Sequence, residues 1–398
     1  MEKFLTNFLK TNFFKYYLIF IFIFSVIFLS QKFLYPTDWT TSEWMINYQG
    51  GFVRRGLMGE ILFNLHKISN IPIRYLVFYL EIFILLIFLF LIFKFLQNIS
   101  LNKLSIFLFF CPIFLIYPVA ENEVIARKEY ILLSIYIIYL MLLLKNNYLF
   151  FLVILIFLPL MNLIWEGAVF YIFFFIFSFF CKKNLKTKEL IYFIFSYLPF
   201  LISLYFVIIA KSDPVGFEKM CLSINEACFG AMFWLDKTLI QNMEFTISKF
   251  KIEYLIRYLL IILICFSPII IFSFFDDFKI TIGKYSVNKI LLKLYSIQIL
   301  SILLFMFALD WGRWINIGYT FSILTLFFLI KNSNIDFDSN RFSRFFEKFS
   351  INYKKSFYFL FFLYCFTWNM KAIMTDDIGS FPYYRIITKS LKIIGSYI

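Results

Sequence analysis

Histidine is nearly missing from this chain: 398 residues contain one, His66. A mechanism built on an intramembrane catalytic histidine, as in many acyl transferases, is thereby disfavoured. His66 itself reads most simply as a partly exposed interfacial residue. The six cysteines form no Cys/His cluster of metal-ligand spacing, and neither a P-loop nor a dinucleotide fingerprint occurs. Charge is scarce too, at 16% against 62% hydrophobic residues, which leaves no room for a soluble domain of ordinary size. No small-residue cleavage site closes the first apolar run, 17–34, so it reads as a retained helix rather than a cleaved signal.

What is abundant is apolar length. Runs able to cross a bilayer recur throughout, predicting an all-α, polytopic transmembrane bundle of one integral membrane domain over 1–398. Eleven spans are expected, near 16–34, 73–97, 104–119, 130–145, 148–163, 168–181, 189–210, 253–274, 290–309, 316–331 and 356–374. The 61 phenylalanines, with abundant Ile, Lys and Asn, fit the drift of an AT-rich genome better than an aromatic binding surface. In LPLMNLIWEGAVF, Pro159, Asn162 and Glu166 break one long run, predicting a hairpin whose tip dips into the membrane.

Lysine-rich connections at 1–15, 98–103, 146–147, 182–188, 275–289 and 332–355 place the N-terminus inside. Every chemically rich segment then falls outside. These include a first loop at 35–72, with an amphipathic segment at 56–69, and a cap loop at 211–252. Ionisable groups are costly at membrane depth and persist mainly where they line a site, so an outward-facing site is expected.

Within that set, DWTTSEWMINYQGGFVRRGLMGE (38–60) is the richest. Gly50-Gly51 permits a sharp turn or a close approach to a ligand. Arg54 and Arg55 suit phosphate oxygens, those of a ligand or of lipid headgroups. Asp38 and Glu43 are placed to act as a base, and Trp39 and Trp44 either stack on sugars or anchor at the interface. ENEVIARKEY (121–130) holds Glu123, Arg127, Lys128 and Glu129. If helical, it sets Glu123 beside Arg127, and a self-paired connector is the plainer reading. In DWGRW (310–314), Asp310 and Arg313 form either an ion pair joining helix ends or a phosphate-binding arginine steered by a carboxylate, flanked by Trp311. Cys221 and Cys228 form a disulfide or remain two thiols. Glu81 faces a cavity or is a structural acid.

GGFVRRG and DWGRW, on a many-spanning chain with outer acids and arginines, resemble the type-C glycosyltransferase superfamily and the O-antigen and capsule polymerases. That resemblance implies a polymerase or glycosyltransferase acting on undecaprenyl-pyrophosphate-linked saccharides at the outer face of the bacterial inner membrane. Arg54, Arg55, Arg127, Lys128 and Arg313 would hold the pyrophosphate, and Trp39, Trp44, Glu166, Asp310 and Trp311 would face the sugar. Asp38 would be the base, with Glu43, Glu123 and Glu129 behind it. No metal or other cofactor is required, although a divalent ion is compatible. The implied partners are the polyprenyl-linked saccharide, membrane lipids and other polysaccharide-assembly proteins, with no nucleic acid. A transporter or flippase of the same lipid-linked saccharide, or a non-catalytic assembly subunit, are the alternatives.

Overall fold

The computed structural model describes residues 7–34, 39–101, 103–182, 185–210, 214–226, 228, 230–235, 237, 239–275, 279–282, 285–288, 301–332, 353–375 and 379–396. The chain opens with α1 (Asn12–Leu34), short α2 (Trp39–Met45), α3 (Leu57–Ser69), α4 (Ile73–Leu96) and α5 (Lys103–Phe110). Next come α6 (Glu129–Leu144), α7 (Leu149–Ile164), α8 (Glu166–Phe180) and α9 (Thr187–Ile209). The rest is α10 (Pro214–Ile224), α11 (Leu239–Ser248), α12 (Ile252–Phe275), α13 (Trp311–Lys331), α14 (Tyr353–Phe366) and α15 (Pro382–Gly395). Strand is confined, among the described residues, to two antiparallel pairs, Lys279–Ile282 with Tyr285–Asn288 and Trp368–Asn369 with Gly379–Ser380.

Five of these helices, α1, α4, α9, α12 and α13, are long and apolar enough to cross a membrane. The 24 residues of α4 rise about 36 Å, more than the ~30 Å of a hydrocarbon core. The other described spans are shorter or broken than the sequence suggests, and 289–300 lies outside the described residues. Burial separates α13 from its peers. Its apolar window is 89% buried, against 22–44% in the other four, so α13 is the axis of the bundle.

Prolines explain the breaks. Pro112 has no N–H for the Leu108 carbonyl, so the run expected at 104–119 stops being helical after Phe110. The Tyr319 hydroxyl, on α13, donates to that carbonyl at 2.8 Å, and Asn316 Nδ2 donates to the carbonyls of Ile113 and Phe114. Buried non-helical backbone is thus satisfied by the central helix, as a membrane interior demands. In α7 a π-turn at Val153–Phe157 precedes Pro159. The helix then ends at extended Trp165, before Glu166 opens a 3-10 turn into α8.

Two ends of the bundle can be told apart. At one, the Asn98 N–H donates to the Leu9 carbonyl at 3.4 Å, and Lys94 and Lys331 line a common hollow. At the other, where Phe33 of α1 meets Tyr75 of α4 at a 4.8 Å ring separation, the polar loops gather. His66 is on this side, its Nδ1 hydrogen-bonded to the Ile71 carbonyl at 2.6 Å.

Candidate functional site

The first loop is shaped by its glycines and by Glu60. Gly51 (φ +113°) and Arg55 (φ +66°) adopt left-handed backbone, and the Glu60 carboxylate accepts from the Tyr48 N–H and Gln49 Nε2, both at 2.9 Å. A Cβ on Gly50 would overlap the Gly216 carbonyl of α10, and one on Gly59 the Ile46 carbonyl. The close approach at Gly50 is therefore to the cap segment, not to a ligand.

That cap lies over the loop. Cys221 and Cys228 form a disulfide, and Arg74 ion-pairs with Glu226 inside the seven-residue separation. The Ala231 N–H donates to Ser42 Oγ at 3.2 Å, and Arg54 Nη2 donates to the carbonyls of Trp234 and Lys237 at 3.0 and 3.2 Å.

Between loop and cap is a cavity of about 300 Å³. Arg54, Arg55, Arg127 and Arg313, drawn from three distant segments, all line it. Trp39, Trp234, Phe245, Phe307 and Trp314 form apolar wall, and among the described residues Glu123 and Asp310 are the carboxylates of the lining.

Behind the arginines sits a carboxylate shell. Glu43 is fully buried; its Oε2 accepts from Arg127 Nε and Nη2 at 2.9 and 2.8 Å, with Arg313 Nη2 at 3.8 Å and Arg55 Nη1 at 3.9 Å from its carboxylate. Burial pushes the Glu43 carboxyl up, but Arg127, Arg313, Arg55 and Lys128 together outweigh it and hold the group ionised, well below the usual carboxylate range. Arg55 chelates Glu166 at 2.7–2.9 Å. Burial alone would raise Glu166, yet Arg55 and then Arg54 bring it down to about 2. Arg313 ion-pairs with Glu129 and, at 3.0 Å, with Asp310. Its guanidinium lies 4.8 Å over Trp314 and 5.9 Å over Trp165, and the two indoles stack at 6.0 Å.

Several sequence expectations are corrected by this placement. ENEVIARKEY is no single helix: a 3-10 turn at Asn122–Val124 and left-handed Ala126 (φ +49°) precede α6. DWGRW opens α13, with Asp310 at its N-cap position, and most of the span expected before it, 290–309, lies outside the described residues. Glu43 and Glu129 are engaged in ion pairs with Arg127 and Arg313 and are not among the residues that line the cavity. Lys128 is fully buried and does not line it either. Trp44 is core, and Trp311 stacks on Phe305 at 4.9 Å and donates to the Phe305 carbonyl. Glu166 chelates Arg55 and is not itself among the lining residues. Glu81 is buried in α4, away from the lining. Asp38 lies outside the described residues. Asn242, Phe245 and Thr246 of α11 enter the lining with no motif to announce them.

The first turn of α13 depends on Gly312, where a Cβ would overlap the Lys371 carbonyl and crowd Tyr117. Gly312→Ala is expected to lose about 1–3 kcal/mol, read as a lower melting temperature of the purified protein.

No family model, curated protein or solved structure matches this chain.

Proposed function

We propose that the chain is an integral membrane glycosyltransferase, of the polymerase kind, that draws on a saccharide carried by a polyprenyl pyrophosphate. One observation carries the reading: four arginines converge on a single cavity with aromatic walls, at the end of the bundle where the polar loops meet. Guanidinium groups match pyrophosphate oxygens bidentately, and preorganised cations stabilise charge as it develops on a leaving group. The lysine-rich connections, read as cytoplasmic, support placing this end outside. The disulfide in the cap fits an oxidising compartment, here the outer face of a bacterial inner membrane.

In the reaction, an acceptor hydroxyl oxygen attacks the anomeric carbon and the bond from that carbon to the pyrophosphate oxygen breaks. The pyrophosphate leaves with the electron pair and is held by Arg54, Arg55, Arg127 and Arg313. The hydroxyl proton passes to a carboxylate, Glu123 or Asp310 of the lining, with Asp38 next to Trp39 in sequence as the third choice. Trp39, 41% exposed, offers a face to a sugar.

Reconstitution of the full chain in liposomes with a polyprenyl-pyrophosphate oligosaccharide tests this. Chain growth is expected, reduced at least tenfold by Arg54→Ala or by Arg313→Ala in protein shown to insert normally. Movement of the lipid across the bilayer without new glycosidic bonds would establish a flippase instead. Full-length polymer from both variants would refute the arginine site.

A further inference from the structure

Three consecutive residues, Arg127, Lys128 and Glu129, each engage a different part of the arginine cluster. Left-handed Ala126 (φ +49°) turns the chain just ahead of them. Arg127 enters the cavity and grips Glu43, and Glu129 grips Arg313. Lys128 points the other way. Its Nζ donates to the Arg55 carbonyl at 2.8 Å, and it lies 5.7 Å from the Trp44 ring.

Arg55 is where this contact matters. It is a non-glycine residue at φ +66°, a conformation that costs a side-chain-bearing residue energy and persists only when its surroundings hold it. The fully buried Lys128 side chain is bonded to the carbonyl of this residue. From that backbone the guanidinium reaches both Glu166 and Glu43 and lines the cavity.

We infer that Lys128 is a positioning residue: through the Arg55 carbonyl it sets where the Arg55 guanidinium stands at the cavity, and its protonation state tunes how tightly the cavity holds an anion. This rests on the pyrophosphate-binding reading of the cavity. The charged groups around Lys128 are Glu43 on α2, Arg55 on the loop, Glu166 at the start of α8 and its own neighbour Arg127. Both carboxylates are ionised at neutral pH for the reasons given above, and arginine keeps its charge. Lys128 is therefore the member of this group that changes charge near neutrality. Burial lowers it, Glu43 raises it, and the balance leaves it at about 7. Protonated, it makes a charge-assisted bond to the carbonyl, roughly twice as strong as a neutral one, and adds a positive charge behind Arg55, outside the cavity lining. Deprotonated, it does neither. Anion affinity should thus be high below pH 7 and fall above it.

The test is titration of inorganic pyrophosphate into the full-length protein in detergent micelles, between about pH 6 and pH 8. Wild type is compared with Lys128→Arg, which stays charged, and with Lys128→Met, which has no charge. Pyrophosphate itself titrates in this window, so the readout is the difference between profiles. Wild type should lose about tenfold affinity relative to Lys128→Arg across the window, one unit of log affinity. Lys128→Met should bind weakly and run parallel to the ionisation of the probe. A merely structural lysine would shift melting temperature in the variants but leave the three profiles parallel, and parallel profiles overturn the inference. If Lys128→Arg does not fold, the Lys128→Met comparison alone decides, because a profile parallel to wild type still refutes it. Failure of wild-type protein to bind pyrophosphate at any pH would overturn the anion-cavity reading, and this inference with it.

Discussion

Glu43→Ala is expected to be the most damaging single substitution in the polar end of the molecule, costing roughly 3–5 kcal/mol. The wild-type carboxylate is fully buried and binds Arg127 through two contacts at 2.8–2.9 Å, with Arg313 and Arg55 within 4 Å. Like charges crowd this space, and among the described residues Glu43 is the group that all three arginines approach. Without it the Arg127 guanidinium, whose side chain is only 8% exposed, keeps, among the described residues, a carboxylate neighbour only in Asp310 at 4.0 Å. Removing one partner of a buried pair costs far more than the pair contributes net. Thermal unfolding in detergent should show a drop of several degrees, with Glu43→Gln between the two because it keeps the shape and loses the charge. A melting temperature equal to wild type for Glu43→Ala would mean that the cluster is held together without its centre.

For the glycosyl transfer proposed above, the largest effect is expected at Glu123. Both Glu123 and Asp310 line the cavity, but they differ in commitment. Asp310 accepts from Arg313 at 3.0 Å and lies 4.0 Å from Arg127. Its carboxylate is thus already engaged by guanidinium donors, which hold it as a partner of Arg313 rather than free to meet a hydroxyl. No hydrogen bond or ion pair holds the Glu123 carboxylate among the described residues, although its backbone carbonyl accepts from Arg127 at 3.2 Å. Glu123→Gln should therefore lower the rate of glycosyl transfer by about 10²–10⁴ while pyrophosphate binding stays within a few-fold of wild type. Asp310→Asn should do the reverse, weakening pyrophosphate binding through a mispositioned Arg313 with a smaller loss of turnover once substrate saturates. If turnover survives Glu123→Gln and collapses in Asp310→Asn with binding intact, the roles are exchanged.

Arg54, Arg55, Arg127 and Arg313 were all legible as candidates because each interrupts an apolar chain, and charge near a membrane needs a reason. The hairpin tip at Trp165-Glu166 was legible too, from Pro159 and Asn162. Glu43 and Glu129 looked like bases from their company alone. In the folded chain they turned out to be counter-ions, because acid–arginine proximity in sequence does not say which side of the guanidinium the acid occupies. Trp44 and Trp311 were misleading for a similar reason: an indole at an interface and an indole in the core have the same sequence context. Asn242 and Phe245 gave no signal, since a wall residue of a cavity needs only to be in the right place.

Composition and the length of the apolar runs determined by themselves that this chain is helical with segments able to cross a bilayer, and they located its polar islands at the ends of the apolar runs. Those properties are local, set by how each segment partitions between water and hydrocarbon. Only the tertiary structure decided that residues 54–55, 127 and 313 meet around one cavity, that Glu43 is their common counter-ion, and that Lys128 turns away to hold the Arg55 backbone. Convergence of that kind depends on how α1, α4, α6 and α13 pack, on the Pro112 break that α13 side chains repair, and on left-handed turns at Arg55 and Ala126. These are long-range and backbone properties that no single segment carries.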